Sequence, residues 1–351
     1  MEGRPGRAFH HYPELKSIMW FNNFFTRKQQ ASTLPLFDEA FLRRLERLSF
    51  RTAPSLRGVT SGERRSRELQ PALDFSDHRP YTHGDDLRHI DWKVFARQEE
   101  LFVKLGETTQ SVSVHILLDC SPSMTWDISA TTVERPIEPG RSSKWTGARR
   151  LAGALGYLAL TGGERTLITP FAGRLRESFG PTQGKKRAVS ALQFIARLKP
   201  ASQAAYESGL AHSLTTYNRN QPGGGILIII SDLLDAAASA EIGHGAQNLM
   251  DGLRHLTPPR WQVLVMHLLS EQELNPALQG DYDLRDLETG QALPFRLDDL
   301  TIGQYRLRVR RWCNELSQAC GRRGATYTQV LAEWPFERAV VPYLRQRGVI
   351  Q

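Results

Sequence analysis

The chain has 351 residues, 40% of them apolar and 23% charged, with a formal net charge of +8, the profile of an ordinary soluble globular protein of one large or two modest domains. No apolar run approaches the roughly 18 residues of a membrane span. The apolar stretch from Met19 to Phe25 is interrupted by Asn22 and Asn23 and lacks a small-residue cleavage site, which argues against a secretory leader and makes the cytoplasm the expected compartment.

Cys120, Cys313 and Cys320 cannot build a disulfide framework and contain no C-x-x-C pair for zinc, so buried thiols are expected. The basic residues are scattered, with short clusters at Arg43-Arg44, Arg64 to Arg67 and Arg306 to Arg311. No glycine–aromatic interleaving of the RNA-reading kind accompanies them, so solvated helix faces explain the charge and no nucleic-acid partner is expected.

In chain order, residues 1–33 read as a poorly ordered lead. Phe41, Leu42, Leu45 and Leu48 recur at helical spacing behind a capping Asp38. Residues 52–70 read as a loop. Ile90, Trp92 and Val94 alternate with Asp91, Lys93 and Phe95, the period of a strand, and Leu101 to Leu105 reads as a second strand after the Gly84-Asp85-Asp86 turn. From Val112 a regular alternation begins. Strands are expected at Val112 to Leu118, Thr166 to Phe171 with a partner at Leu175 to Phe179, Ile226 to Ser231, and Gln262 to Leu269. Helices are expected from Trp145 to Ala159, around Val189 to Ile195, from Tyr206 to Tyr217, near Ala246 to Leu256, and from Tyr305 to Ala319. A hairpin turning at Thr289-Gly290 interrupts this order. Strands alternating with helices predict an α/β fold with a doubly wound, mostly parallel sheet.

Ligands of such sheets bind beyond the carboxyl ends of the strands. Two candidate sites stand there. Asp119-Cys-Ser121-Pro-Ser123 follows one apolar strand, and Ser231-Asp232 follows another. Two carboxylates and two hydroxyls form an all-oxygen set suited to a hard cation such as Mg²⁺; alternatively, Ser121 and Ser123 cap the turn that follows.

The D-x-S-x-S pattern with its later aspartate resembles the metal-ion-dependent adhesion site of von Willebrand factor A domains. The resemblance implies that Ser121 and Ser123 touch the cation, that Asp119 and Asp232 hold it directly or through water, and that an acidic group of a partner completes the shell. Where that family carries a threonine, the stretch Gln203 to Leu210 places Ala204, which supplies no oxygen.

A longer resemblance lies upstream. Asp74-Phe-Ser-Asp-His-Arg-Pro-Tyr-Thr-His-Gly-Asp-Asp-Leu-Arg-His-Ile-Asp-Trp-Lys-Val-Phe-Ala-Arg97, followed by Leu101-Phe-Val-Lys104, is similar to the signature of domain-of-unknown-function family 58. That resemblance implies a C-terminal von Willebrand factor A-like domain and work beside a MoxR-type AAA+ ATPase in chaperone-like assembly or activation of an unknown client protein. The signature has two physical readings. Its carboxylates and arginines lock an irregular segment through charge-assisted hydrogen bonds, with Tyr81, Trp92 and Phe95 as buried anchors; or Arg79, Asp85, Asp86 and Arg88 line a surface that recognises the ATPase.

An enzyme is the rival class, a Mg²⁺-dependent phosphatase or phosphotransferase with Asp119 as nucleophile. Such sites want a second carboxylate two residues on as general acid, where this chain has Ser121. No G-x-x-x-x-G-K-[ST] or G-x-S-x-G stretch is present. The expectation is a cytoplasmic, non-enzymatic adaptor. Its parts would be the lead, a helix and β-rich segment over 34–110, the von Willebrand factor A-like domain over 111–335, and a helix over 336–351 packing back on it.

Overall fold

The computed structural model describes residues 37, 42–43, 45–48, 50, 75–83, 90–106, 112–126, 143–201, 209–234, 244–276, 279–285, 292–334 and 339–350. Its centre is a seven-stranded sheet. The strands are β3 (Ser113–Asp119), β4 (Arg165–Ala172), β5 (Arg174–Leu175), β6 (Phe179–Thr182), β7 (Gly225–Ser231), β8 (Trp261–Leu269) and β11 (Thr326–Leu331). The order is β11-β8-β7-β3-β4-β5, with β6 also on β4. β11, β8, β7, β3 and β4 run parallel; β5 and β6 return antiparallel. The expected α/β class with a mostly parallel, doubly wound sheet is therefore the observed one.

The apolar runs are continuous because both sheet faces are covered. Alternate side chains of each strand serve opposite cores. Ile116, Leu118, Ile228, Ile230 and Met266 face one core with Ala148, Ala152 and Leu155 of α2 (Ser143–Thr161) and Ile195 of α3 (Ala188–Arg197). Leu117, Leu227, Ile229 and Val265 face the other. They meet Leu214 and Tyr217 of α4 (Leu210–Asn220), Leu249 of α5 (His244–Gly252) and Leu316 of α7 (Asp299–Arg322).

β3 is the first strand of this sheet. The chain then lays β4 on one side of it and β7 on the other. The order reverses between β3 and β7, and ligands of such sheets bind beyond the carboxyl ends of the strands at this switch point. Leu118 lies opposite Ile230 in this pair, so Asp119 and Asp232 leave the sheet at the same edge.

Outside the sheet, β2 (Phe102–Gly106), the strand expected at Leu101 to Leu105, pairs antiparallel with β1 (Phe75–Pro80), a partner the sequence did not indicate. The strand expected over Ile90 to Phe95 is a helix instead, α1 (Trp92–Gln98), preceded by a single bridge at Ile90. Asp91 decides this: its carboxylate accepts from the Lys93 and Val94 amides and starts a helical turn that overrides the alternation. Trp92 and Phe95, expected as buried anchors, stack edge-to-face one turn apart with 58% and 38% of their surface exposed. Helix placement turned both rings outward.

β9 (Gly280–Arg285) and β10 (Ala292–Leu297) form the expected hairpin, whose turn lies outside the described residues. β11 and the short helix α6 (Glu271–Leu274) were not anticipated. The C-terminal helix is α8 (Val341–Gln346), with Leu344 buried in the first core. Leu45 of the N-terminal helical stretch is buried in the same core, and Phe50 bridges Ile350. Asp38 and Phe41, the expected start of that helix, lie outside the described residues.

Candidate functional site

Asp119 ends β3 and turns into a 3-10 helix, Pro122–Thr125. Its Oδ1 accepts from the Ser121 amide at 2.8 Å and its Oδ2 accepts from Ser231 Oγ at 2.5 Å. Ser231 is the last residue of β7, so one carboxylate bolts the two strand ends together. Ser121 Oγ and Ser123 Oγ lie 2.9 Å apart. The alternative role of Ser121 as a cap is not observed, since its side chain makes no capping bond to the turn. The next residue on the second edge, Asp232, accepts from the Leu234 amide through Oδ1 at 3.1 Å. Leu233, between them, is held at φ 57, a left-handed conformation that a bulky side chain adopts only under constraint.

The four residues singled out from sequence thus converge on one buried rim: Asp119, Ser121, Ser123 and Asp232 are all almost fully shielded from solvent. A fifth residue, not anticipated, completes it. Lys144, the second residue of α2, is fully buried and reaches Asp232 Oδ2 at 2.6 Å, Glu273 Oε1 at 2.7 Å and the Ser123 carbonyl at 3.3 Å. Burial disfavours its charge, but the carboxylates of Asp232 and Glu273 outweigh that and hold the ammonium above its ordinary range.

Two local features deliver Lys144 to this point. Gly147 lets the first turn of α2 press on the backbone after β11, where an added Cβ would stand 2.7 Å from the Ala332 carbonyl oxygen. Glu273 is fixed by a capping box: Ser270 Oγ accepts from the Glu273 amide, and Glu273 Oε2 accepts from the Ser270 amide at 2.7 Å. Its other oxygen is thereby aimed at Lys144. Tyr305 of α7 donates to the Glu273 carbonyl at 2.7 Å and ties the next helix to the same corner.

Sequence did carry a signal for Lys144. It lies four residues before Ala148 and seven before Leu151, so it sits on the buried stripe of α2. A lysine beside two serines reads as solvated until the opposing carboxylates, 88 and 129 positions away, are known.

Electrostatically the rim is short of positive charge, with Asp119, Asp232 and Glu273 against one ammonium. Burial, and then the nearby charge of Asp232, push the Asp119 carboxyl up to about 7, so it competes for a proton at neutrality. The oxygen-only donors suit a hard cation. Among the described residues no three His, Cys, Asp or Glu side chains are grouped to hold a metal, so any such cation would depend on the two serine hydroxyls. Ala204, at the position of the missing threonine, lies outside the described residues. Cys120, inside the same turn, is buried and its thiol is pushed up to about 12 by that burial, which leaves it inert.

The second expected surface is only partly described. Arg79 is in β1 and donates to Thr82 Oγ1 at 2.8 Å; Asp85, Asp86 and Arg88 lie outside the described residues. No helix among the described residues is long and apolar enough to cross a membrane.

Fold and rim together define an α/β domain with buried carboxylates and hydroxyls gathered at the switch point of its sheet. The chain belongs to the family described as "Protein of unknown function DUF58", which matches residues 77–312. Uncharacterised proteins of Mycobacterium tuberculosis and Mycobacterium bovis are each 25% identical over 254 residues, covering 72% of this chain and 73% of theirs. Among solved structures, the conserved hypothetical protein BatB of Bacteroides thetaiotaomicron is 19% identical with a TM-score of 0.39, and an aerotolerance-related membrane protein of Bacteroides fragilis is 18% identical with a TM-score of 0.37; each covers 68% of this chain and 98% of its own.

Proposed function

We propose that this protein is a non-enzymatic adaptor that grips another protein at the rim formed by Asp119, Ser121, Ser123 and Asp232. The observation that carries this reading is the cluster of oxygens at the switch point, which outnumber the one tethered cation, Lys144. In this reading the domain is von Willebrand factor A-like and the rim a degenerate metal-ion-dependent adhesion site. Mg²⁺ would be held by the Ser121 and Ser123 hydroxyls with the carboxylates behind them, and it would supply the positive charge that an acidic side chain of the partner needs. Without added positive charge the rim carboxylates repel such a group.

The proposed partner, a MoxR-type AAA+ ATPase with an unknown client in the cytoplasm, rests on the resemblance carried by the Asp74 to Arg97 signature. Arg79, Asp85, Asp86 and Arg88 are the proposed contact for the ATPase. Binding is favoured over phosphoryl transfer because both oxygens of Asp119 already accept hydrogen bonds and the residue two positions on is Ser121, not an acid.

The test is co-elution of the full chain with the MoxR-type ATPase of its own host, with and without Mg²⁺. Complex formation that is lost in Asp119→Ala supports the rim; retention of the complex in that variant removes the rim from the mechanism. Mg²⁺-dependent release of phosphate from a phosphomonoester, abolished by Asp119→Asn, would establish the enzyme reading instead.

A further inference from the structure

The rim side chains are all engaged with one another or with the backbone beside them. Both oxygens of Asp119 accept hydrogen bonds, from the Ser121 amide and from Ser231 Oγ. Those of Asp232 accept from the Leu234 amide and from Lys144. The Ser121 and Ser123 hydroxyls bond to each other. An ammonium has three N–H donors, and Lys144 Nζ meets three acceptors: Asp232 Oδ2, Glu273 Oε1 and the Ser123 carbonyl. This buried lysine therefore has no donor left for the carboxylate of a partner.

Nζ also touches two of the four residues assigned to a cation, Asp232 and Ser123. Mg²⁺ sits about 2.0–2.1 Å from its oxygens. An ion on Asp232 Oδ2 would share that atom with an ammonium 2.6 Å away. Two cations on one oxygen repel, and solvent does little to screen them, because it reaches neither side chain. Lys144 is held in place from both sides, by the close approach of α2 to Ala332 at Gly147 and by the capping box that aims Glu273. Directly after Asp232, Leu233 is kept at φ 57, the kind of strained backbone found at switch segments.

We propose that Lys144 is a latch on the rim: its ammonium holds the site closed, and a divalent cation binds there only when Lys144 gives up Asp232. This inference deepens the cation reading of the rim and rests on it. The closed rim takes neither a metal nor an acidic group of a partner. Release of Lys144 frees Asp232 Oδ2 for the ion, and the ion then offers its charge to the partner.

Mn²⁺, a paramagnetic stand-in for Mg²⁺, tests the latch on the full chain by electron paramagnetic resonance. Lys144→Met and Lys144→Gln should each bind Mn²⁺ at least about tenfold more tightly than the wild type; the glutamine keeps a hydrogen-bond donor without the charge. A second measurement needs no variant to fold. In the wild type, a pulse of amine-acetylating reagent read by peptide mass spectrometry should spare Lys144 in EDTA and modify it in saturating Mn²⁺. Equal Mn²⁺ affinity in the wild type and the folded variants, or a Lys144 still protected with Mn²⁺ bound, overturns the latch and leaves the cation reading standing. Binding of Mn²⁺ by none of the three proteins overturns both.

Discussion

The ammonium of Lys144 lies 2.6 Å from Oδ2 of Asp232, and neither side chain is reached by solvent. The pair joins the start of α2 to the end of β7, and Glu273, 2.7 Å from the same nitrogen, adds α6 to the junction. A buried ion pair of this kind is a weak source of net stability, because both charges leave water, yet removing one partner strands the other. Its value here is geometric: three separate segments are held together at the strand ends.

Lys144→Met should destabilise the fold by about 3–5 kcal/mol, since Asp232 and Glu273 are left without their counter-charge. Urea unfolding measures the loss. Millimolar MgCl₂ should recover part of it if a divalent ion can stand in for the ammonium. No Mg²⁺-dependent recovery in Lys144→Met, together with no shift in the wild type, would remove Mg²⁺ from the proposed mechanism.

Asp119 gives stability a distinctive pH dependence. Its carboxyl moves from an ordinary 3.8 up to about 7 on folding, so the native state holds a proton that the unfolded chain releases. This contribution is complete below about pH 4 and is lost as the pH rises through 7, at a cost of the order of a few kcal/mol. Asp119→Asn, neutral at every pH, should abolish that slope. Denaturant midpoints between pH 4 and 8 compare the two proteins directly.

Two histidines act in the opposite sense. His115 and His267 are buried neutral, and burial lowers them from 6.5 to about 4 and about 3 respectively. Their contribution is complete above pH 6.5 and fades as the pH falls towards 4, because the unfolded chain then takes up protons that the folded one refuses. In Asp119→Asn, where the opposing slope is gone, acid destabilisation over this window should be steeper than in the wild type; tryptophan fluorescence can follow it.

Gly147→Ala should cost about 1–3 kcal/mol, because its Cβ would meet the Ala332 carbonyl. The thermal midpoint would fall, and the Lys144 contacts would loosen with it. Gly163→Ala is a poor control, since φ 84 strains any side chain there; Gly303→Ala, in open space on α7, is the better one and should be neutral or slightly stabilising.

Thiol accessibility offers a separate check on the packing. Cys120, Cys313 and Cys320 are buried and unpaired, and burial pushes the Cys120 and Cys320 thiols up to about 12. The native chain should react negligibly with a disulfide reagent at neutral pH and yield three thiols on unfolding. Fast labelling of a single cysteine in native conditions would contradict the buried placement.

The α/β alternation, the parallel sheet and the edge shared by Asp119 and Asp232 were legible from apolar runs ending in acidic residues, because continuous burial on both sheet faces leaves that mark in the chain. Local chemistry misled at Ile90 to Phe95, where one capping carboxylate outweighs alternation. It was silent at β11, whose Thr326, Thr328 and Gln329 look like loop residues until they lie beside β8.

Lys144 and Glu273 mark the boundary between the two kinds of knowledge. Periodicity is written into neighbouring residues and survives without the fold, so the order of strands and helices and the rim serines could be read off the chain. The charge balance of the rim depends on a lysine and a glutamate 129 positions apart. Nothing in either neighbourhood encodes the other, and only close packing of α2 and α6 over the strand ends brings a buried cation to its carboxylates, because burial makes each charge untenable without the other.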